Sequence, residues 1–250
     1  MLDLIGTVVT VAAIAVILTS LVSTLAVRLS QRILLAALVG VWVGLAIGTA
    51  VMGAFASPRQ GPIALFVLLA PLAVTAAAAL LSPGVRRKLL AIPMPLLVGL
   101  NVLRMGGVLF VVLAEAGRLA GPFPYLAGWG DVATGVLAIP VAWAAARDLA
   151  NHRRRILAWN AFGTLDLFVA VVLGVTSRNG SPLQLIHAGV GSAGLTHFPW
   201  SLVPTVLVPY FLLSHALVYA QLRSQTHRAG SERPGELSGR WNSPTFKTAA

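Results

Sequence analysis

Residues 95–117 read PLLVGLNVLRMGGVLFVVLAEAG, a stretch that is long and apolar enough to cross a lipid bilayer as one helix. It nevertheless contains Asn101, Arg104 and Glu115. Arg104 falls near the middle of the stretch, where an arginine is costly unless neighbouring groups accept its hydrogen bonds. The sequence therefore predicts a membrane helix whose arginine meets a partner on another helix.

The composition of the whole chain is that of a membrane protein. Hydrophobic residues make up 57% of the 250 residues and charged residues only 10%, whereas soluble domains carry about 25% charged residues. A surface this apolar needs lipid to cover it. The basic residues are nearly all arginine, and Ala, Val, Leu and Gly dominate the rest. This bias is typical of GC-rich bacterial genomes, so we expect the bacterial cytoplasmic (inner) membrane.

Seven apolar stretches reach the length of about 20 residues that a membrane span requires. They are Leu4–Val27, Ile33–Ala56, Pro62–Leu81, Pro95–Gly117, Tyr125–Ala146, Ile156–Val175 and Ser201–Leu222. We therefore predict an all-α, polytopic protein in which residues 1–222 form a seven-helix transmembrane domain. Residues 223–250 are polar, basic and rich in Ser and Gly, which predicts a disordered cytoplasmic tail.

The positive charges alternate between the two ends of the predicted helices. Fourteen Lys and Arg residues follow the first, third, fifth and seventh helices, and three fall in the other connections. Because cytoplasmic loops carry the excess of Lys and Arg, we expect the N-terminus outside and the C-terminus in the cytoplasm. The longest outer connection runs from residue 176 to residue 200, and residues 182–190 within it suit a short interfacial helix.

Depth along the predicted helices suggests the partner of Arg104. At a rise of about 1.5 Å per residue, Arg104 lies ~14 Å and Asp166 ~15 Å from the cytoplasmic face. These matching depths make Arg104–Asp166 the leading ion pair, which would relieve the cost of burying both charges. Asp131 lies one or two turns nearer the outer face and is the rival partner. It shares a helix face with Gly128 and Gly135, small residues that favour close packing.

Other polar residues in the spans form rough layers around this pair, namely Asn101, Asn160, His215 and Glu115. Glu115 follows Arg104 by eleven residues, or three helical turns, and is therefore expected on the same face. Two interpretations of the whole cluster remain open. The residues line a polar cleft that handles a ligand, ion or proton, or they are satisfied pairs that fix helix packing.

Gly40, Gly44 and Gly48 place two overlapping G-x-x-x-G motifs on the second predicted helix. Such a face lets another helix backbone approach closely. The favoured interpretation is packing against another helix of the same bundle, and the alternative is a dimer face.

The sequence contains no recognisable catalytic or cofactor-binding set. His187 and His197 share the outer connection with no acidic residue or Cys, whereas a tetrahedral metal site needs three or four ligands. Lys88 and Lys247 lie outside the predicted spans, which leaves no membrane lysine for a retinal Schiff base. We therefore predict no catalytic residue, no metal and no cofactor, and we favour a protein that is not an enzyme. Nucleic acid is not an expected partner either, because the net charge of +11 resides in short connections and the tail.

Three clusters carry a resemblance to other proteins: Gly128-Trp129-Gly130-Asp131; Trp159-Asn160 with Gly163, Asp166 and Leu167; and Pro199-Trp200 with Pro204 and Pro209. Over roughly Pro95 to Tyr219, this layout resembles that of bacterial multi-pass membrane proteins of unknown function. The resemblance implies that the fourth to seventh helices hold the important residues, and it attaches no activity to them.

The expected function is that of an integral membrane protein that binds or moves a small ligand, ion or proton through its intramembrane polar cluster. Arg104 would bind an anionic group or hold Asp166 ionised, and Asp131 would be the outward acid. The alternative is a non-catalytic partner or assembly subunit. It would pack through the glycine-rich second helix against a second copy of the chain or another membrane protein. The lipid bilayer surrounds the protein in either case.

Overall fold

The computed structural model describes residues 1–25, 28–55 and 61–231, without the side chains of 61–65 and 225–231. These residues are almost entirely helical and contain no β-strand, which confirms the predicted all-α class. The described α-helices are α1 (Leu2–Leu25), α2 (Leu29–Val51), α3 (Gly61–Leu81), α4 (Pro83–Leu90), α5 (Met94–Gly99), α6 (Val108–Glu115), α7 (Phe123–Arg147), α8 (Leu149–Thr176) and α9 (Val208–Ser231).

Six helical stretches are long and apolar enough to cross a membrane, and α3 with α4 would be a seventh if this bent pair is counted as one span. The chain turns by 114° between α3 and α4. The Ser82 side chain accepts a hydrogen bond from the Val85 backbone N–H and Pro83 occupies the first turn, so α4 begins as a capped helix of its own. Its Arg86, Arg87 and Lys88 are exposed, as suits a helix at the membrane surface.

The span that carries Arg104 is not one regular helix. Between α5 and α6, residues 100–107 form a 3₁₀-helix, and Arg104 lies within it. The Gly106-Gly107 pair ends this segment and lowers the local preference for α-helix. On α7, Gly128 and Gly135 face its backbone, where an added methyl group would collide with the Gly107 carbonyl oxygen and the Met105 N–H. The predicted close packing of the α7 glycine face is thus confirmed.

The span that ends in α9 is also irregular. Residues 203–207 form a π-helical turn that contains Pro204 and is followed by Pro209 in α9. Proline lacks the N–H that an α-helix requires, so Pro209 cannot donate to the Thr205 carbonyl four residues earlier. The Trp42 indole N–H of α2 donates to that carbonyl oxygen at 3.0 Å. This bond attaches α2 to the irregular turn.

Side-chain contacts identify which helix ends lie together. At one end, the Trp200 indole and the Arg118 guanidinium each donate to the Asp3 carboxylate at 2.7 Å. At the opposite end, the Gln221 amide donates to the carbonyl oxygens of Leu90 and Ile92 at 3.2 and 2.8 Å. We name the first the loop end, because it carries residues 177–202, and the second the basic end.

Two expectations about the connections meet different outcomes. Residues 182–190 form an irregular loop, so the expected interfacial helix is wrong. Gly189 and Gly191 have positive φ angles that break a helix, and the backbone of Arg178 pairs with Gly191 across the loop. The last helix continues past Leu222 to Ser231, and most of the predicted disordered tail lies outside the described residues.

Candidate functional site

Arg104 is 2% exposed and joins three helices at once. Its Nε donates to Asp131 Oδ1 on α7 at 2.7 Å, and its Nη2 donates to Asp166 Oδ2 on α8. Its Nη1 donates to the Gly163 carbonyl oxygen of α8 at 3.1 Å and lies 3.1 Å from His215 Nε2 on α9. The guanidinium therefore has polar partners on α7, α8 and α9, and such partners are the condition for burying it.

The hydrogen bonds also fix the form of His215. Arginine can only donate, so His215 Nε2 is the acceptor and carries no proton. The proton then lies on Nδ1, which donates to Asn160 Oδ1 at 2.8 Å. The Trp159 ring lies 5.1 Å from the His215 ring, and the Phe211 ring lies 5.7 Å from the guanidinium carbon of Arg104. His215 is thus a neutral imidazole held between an amide and a cation.

Three glycines, Gly107, Gly130 and Gly163, provide the room that side chains of the cluster need. An added methyl group at Gly107 would overlap Asp131, one at Gly130 would overlap the Asp166 carboxylate, and one at Gly163 would overlap the His215 ring. Each glycine lies on a different helical segment from the side chain that it accommodates. The cluster therefore depends on residues that carry no functional group. The Gly-Gly and Gly-Trp-Gly-Asp sequences are the signal that could have identified Gly107 and Gly130.

An apolar cavity of about 390 Å³ extends from the charge cluster to the loop end. Its described lining includes Phe55, Phe110 and Phe123. Asp131 is the one acidic residue among the described residues that line it, and the Asp131 side chain is 14% exposed. Asp131 therefore belongs both to the buried cluster and to the cavity wall. A volume of this size is within the range of small-molecule sites.

The cavity also has a cation in its wall at the loop end. Arg178 lines the cavity and donates to the backbone carbonyl oxygen of Phe55, in the connection that follows α2. Burial lowers the pKa of the Arg178 guanidinium below its ordinary value, but arginine keeps its charge in proteins. Arg178 and the residues 181–183 form the outer rim of the cavity. No pattern in the sequence indicated this rim.

The structure brings together most of the residues that the sequence singled out, namely Arg104, Asp131, Asp166, His215 and Asn160. The expectation of one partner for Arg104 is replaced by two, since its side chain reaches both carboxylates. Asn101 lies beside this group, where its amide donates to Ser214 Oγ at 3.0 Å.

Glu115 is not part of the cluster. It is exposed near the loop end and accepts a hydrogen bond from the Tyr125 hydroxyl at 3.0 Å. The expectation that Glu115 shares a face with Arg104 assumed a regular α-helix. The 3₁₀ segment turns by about 120° per residue instead of about 100°. The two residues are therefore rotated out of register.

Gly40, Gly44 and Gly48 do not pack against another described part of the chain. A methyl group added at any of the three would meet nothing within 4 Å. The favoured expectation of packing inside the bundle is therefore not met among the described residues. Nor do those residues include a group of three or more His, Asp and Glu placed to hold a metal ion.

Long apolar helices around a buried charge cluster define a helical membrane protein. The chain belongs to the family of the domain of unknown function DUF8737, whose profile matches residues 61–223. The match begins at α3 and includes every residue of the Arg104 cluster, whereas α1 and α2 precede it. No curated protein and no solved structure matches the chain.

Proposed function

We propose that this protein is a multi-pass protein of the bacterial inner membrane that binds a small, largely apolar ligand in the cavity at the loop end. The proposal rests on one observation, that Asp131 belongs both to the buried charge cluster and to the cavity wall. Its carboxylate is hydrogen-bonded to the buried Arg104 and also lines the cavity. A mostly apolar pocket with a few polar groups that orient a ligand has the composition of small-molecule sites.

The proposed topology follows from the charges at the two ends. The exposed Arg86, Arg87 and Lys88 of α4 lie at the basic end, as does Arg147 at the end of α7. The excess of basic residues supports a cytoplasmic basic end and an outer loop end. With α3 and α4 taken as one span, the protein has seven spans, an outer N-terminus and a cavity on the outer side.

The proposal is tested by filling the cavity from α8. Ala170 lines the cavity, and Ala161 is exposed on the same helix. Ala170→Phe and the matched control Ala161→Phe add the same ring at the two positions. Thermal unfolding of both variants and of the unaltered protein is measured in lipid nanodiscs with a panel of small aromatic and alkyl amines, alcohols and amides.

We expect some compounds of the panel to raise the unfolding temperature of the unaltered protein and of Ala161→Phe, but not that of Ala170→Phe. If no compound shifts the unaltered protein, or if Ala170→Phe responds as fully as the control, the cavity is not a ligand site.

A second candidate function is that of a non-catalytic partner subunit, and the open glycine face of α2 favours it. A methyl group added at Gly40, Gly44 or Gly48 would meet no described residue within 4 Å, so the described part of the chain leaves room for another helix at this face. Gly44→Ile tests it. Loss of a dimer or of a co-purifying membrane protein supports a partner role, whereas an unchanged particle mass in nanodiscs contradicts it.

A further inference from the structure

The charges of the Arg104 cluster do not balance by themselves. Arg104 contributes one positive charge, while Asp131 and Asp166 together contribute two negative charges when both are ionised. His215 accepts from Arg104 and donates to Asn160, so it adds no charge. A net negative charge buried at this depth is costly. One further positive charge belongs to the cluster.

Among the described residues, Arg178 is the one cationic side chain that lines the same cavity as Asp131. Arg104 of the 3₁₀ segment, Asp166 of α8 and His215 of α9 surround the cluster, and Arg178 is the cation at the cavity rim. Arg178 is bonded to the Phe55 carbonyl at the loop end, and no hydrogen bond between Arg178 and the two carboxylates is seen among the described residues. Among the described residues, Arg104 is the one cation that forms a salt bridge with these carboxylates, so the remaining charge is one that a proton, or a cation entering through the cavity, can supply.

We propose that the ligand of the cavity is a hydrophobic organic cation and that it exchanges for one proton carried by Asp131. This inference rests on the proposed function, since it names the ligand class of the same cavity. With the cavity empty, a proton on Asp131 brings the cluster to zero net charge. When the cation binds beside Asp131, the O–H bond of the carboxyl group breaks and the proton leaves through the cavity to water. The net charge is zero before and after the exchange.

The lining of the cavity matches this ligand class. The faces of aromatic rings attract cations, most strongly where water is excluded. Phe55, Phe110 and Phe123 line the cavity, and Phe110 and Phe123 lie against each other with ring centroids 5.6 Å apart. Asp131 supplies the opposite charge. Arg178 lies at the rim of the cavity at the loop end, so beside Asp131 the aromatic apolar wall with its carboxylate favours a cation with apolar substituents over an anion of the same size.

The experiment uses tetraphenylphosphonium as the cation and triphenylphosphine oxide as its neutral analogue, with the full-length protein in nanodiscs and empty nanodiscs as the blank. Calorimetric titrations in two buffers of different ionisation enthalpy count the protons released for each ligand bound. We expect about one proton per cation and none for the neutral analogue. Cation binding should tighten as pH rises, up to tenfold per pH unit over the range in which Asp131 holds its proton.

Two variants localise the exchange. Asp131→Asn keeps the shape of the side chain but cannot release a proton, so cation binding should become weak and independent of pH. Glu115→Gln removes an exposed acid near the same end and should leave affinity and proton release unchanged. If Asp131→Asn does not fold, the proton count on the unaltered protein decides by itself.

The outcomes separate this inference from the proposed function. Cation binding without proton release overturns the exchange and leaves the cavity as a ligand site. Equal binding of the neutral analogue overturns the cation class in the same way. If neither probe binds and the amine, alcohol and amide panel also has no effect, the proposed function fails and the exchange fails with it.

Discussion

At Gly130, one methyl group would occupy the space of the Asp166 carboxylate. The same relation holds between Gly107 and Asp131 and between Gly163 and His215. The positions of Asp131, Asp166 and His215 therefore depend on the space that these glycines leave, as well as on hydrogen bonds. Because packed interiors tolerate little added volume, these glycines are as sensitive to substitution as the charges themselves.

Gly130→Ala tests this dependence. The added methyl group should push Asp166 away from Arg104 and lower the free energy of unfolding by about 1–3 kcal/mol, the usual penalty for overpacking. The measurement is thermal or denaturant unfolding in detergent.

Gly99→Ala is the matched control for that substitution. A methyl group at Gly99 would make only an ordinary contact with the Ala142 side chain, and alanine favours helix over glycine. This variant should be as stable as the unaltered protein or more so. Equal effects of the two substitutions would show that the glycine at 130 has no special role.

At the residue scale, equal predicted depth on two apolar spans made Asp166 the leading partner of Arg104 and left Asp131, one or two turns nearer the outer face, as its rival. In the structure Arg104 is bonded to both carboxylates. Depth along separate helices could not predict this shared bonding, because it does not give the distances between the helices. The Gly163 carbonyl as an acceptor has no sequence signal at all, since every residue has a carbonyl.

At the scale of the helix, hydropathy does not predict the two irregular segments, residues 100–107 and 203–207. Mean hydropathy predicts an apolar span whether its hydrogen bonds follow an α, 3₁₀ or π pattern. The prolines at 204 and 209 are a sequence signal for a disturbed last span, whereas the 3₁₀ segment at 100–107 has only its glycines as a signal. Both irregular segments lie against the helices of the site, where such segments are often found.

The bond between Trp42 and the Thr205 carbonyl compensates for the donor that Pro209 lacks. Trp42→Phe should leave that carbonyl without its donor and destabilise the protein by about 1–3 kcal/mol, the penalty for an unsatisfied buried polar group. Differential scanning fluorimetry in detergent measures the change.

Pro209→Ala should reduce the effect of Trp42→Phe, because an alanine N–H at 209 can donate to Thr205. Trp129→Phe, at a position 56% exposed on α7, is the control and should change the unfolding temperature little. If the double variant is as unstable as the sum of the two single changes, the indole has no capping role.

At the scale of the whole molecule, apolar length and charge alternation predicted the helical class and the approximate limits of the spans. The bend between α3 and α4 escaped prediction because Ser82 and Pro83 act locally, within a few residues, while hydropathy averages over many. The cavity could not be predicted from the sequence, because its wall is formed by five or more segments that are distant in the sequence.

The absence of cysteine makes the proposed topology directly testable. Leu185→Cys lies in the connection at the loop end and is 77% exposed, and Arg86→Cys lies on the exposed side of α4 at the basic end. In intact cells, a membrane-impermeant thiol reagent should modify Leu185→Cys and not Arg86→Cys.

Inside-out vesicles should give the reverse pattern, and detergent solubilisation should make both positions reactive. Modification of Arg86→Cys in intact cells would reverse the assigned orientation. Modification of both positions would show a different number of spans.

The order of the cluster along the chain has a consequence for synthesis. Asp131 follows Arg104 by 27 residues, Asp166 by 62 and His215 by 111. At about 5–20 residues per second, the ribosome delivers the first carboxylate some 1–5 s after the arginine and the second some 3–12 s after it. Because an unpaired arginine is costly in the bilayer, we expect the span with Arg104 to enter it together with α7 as a hairpin, with α8 and α9 then completing the site.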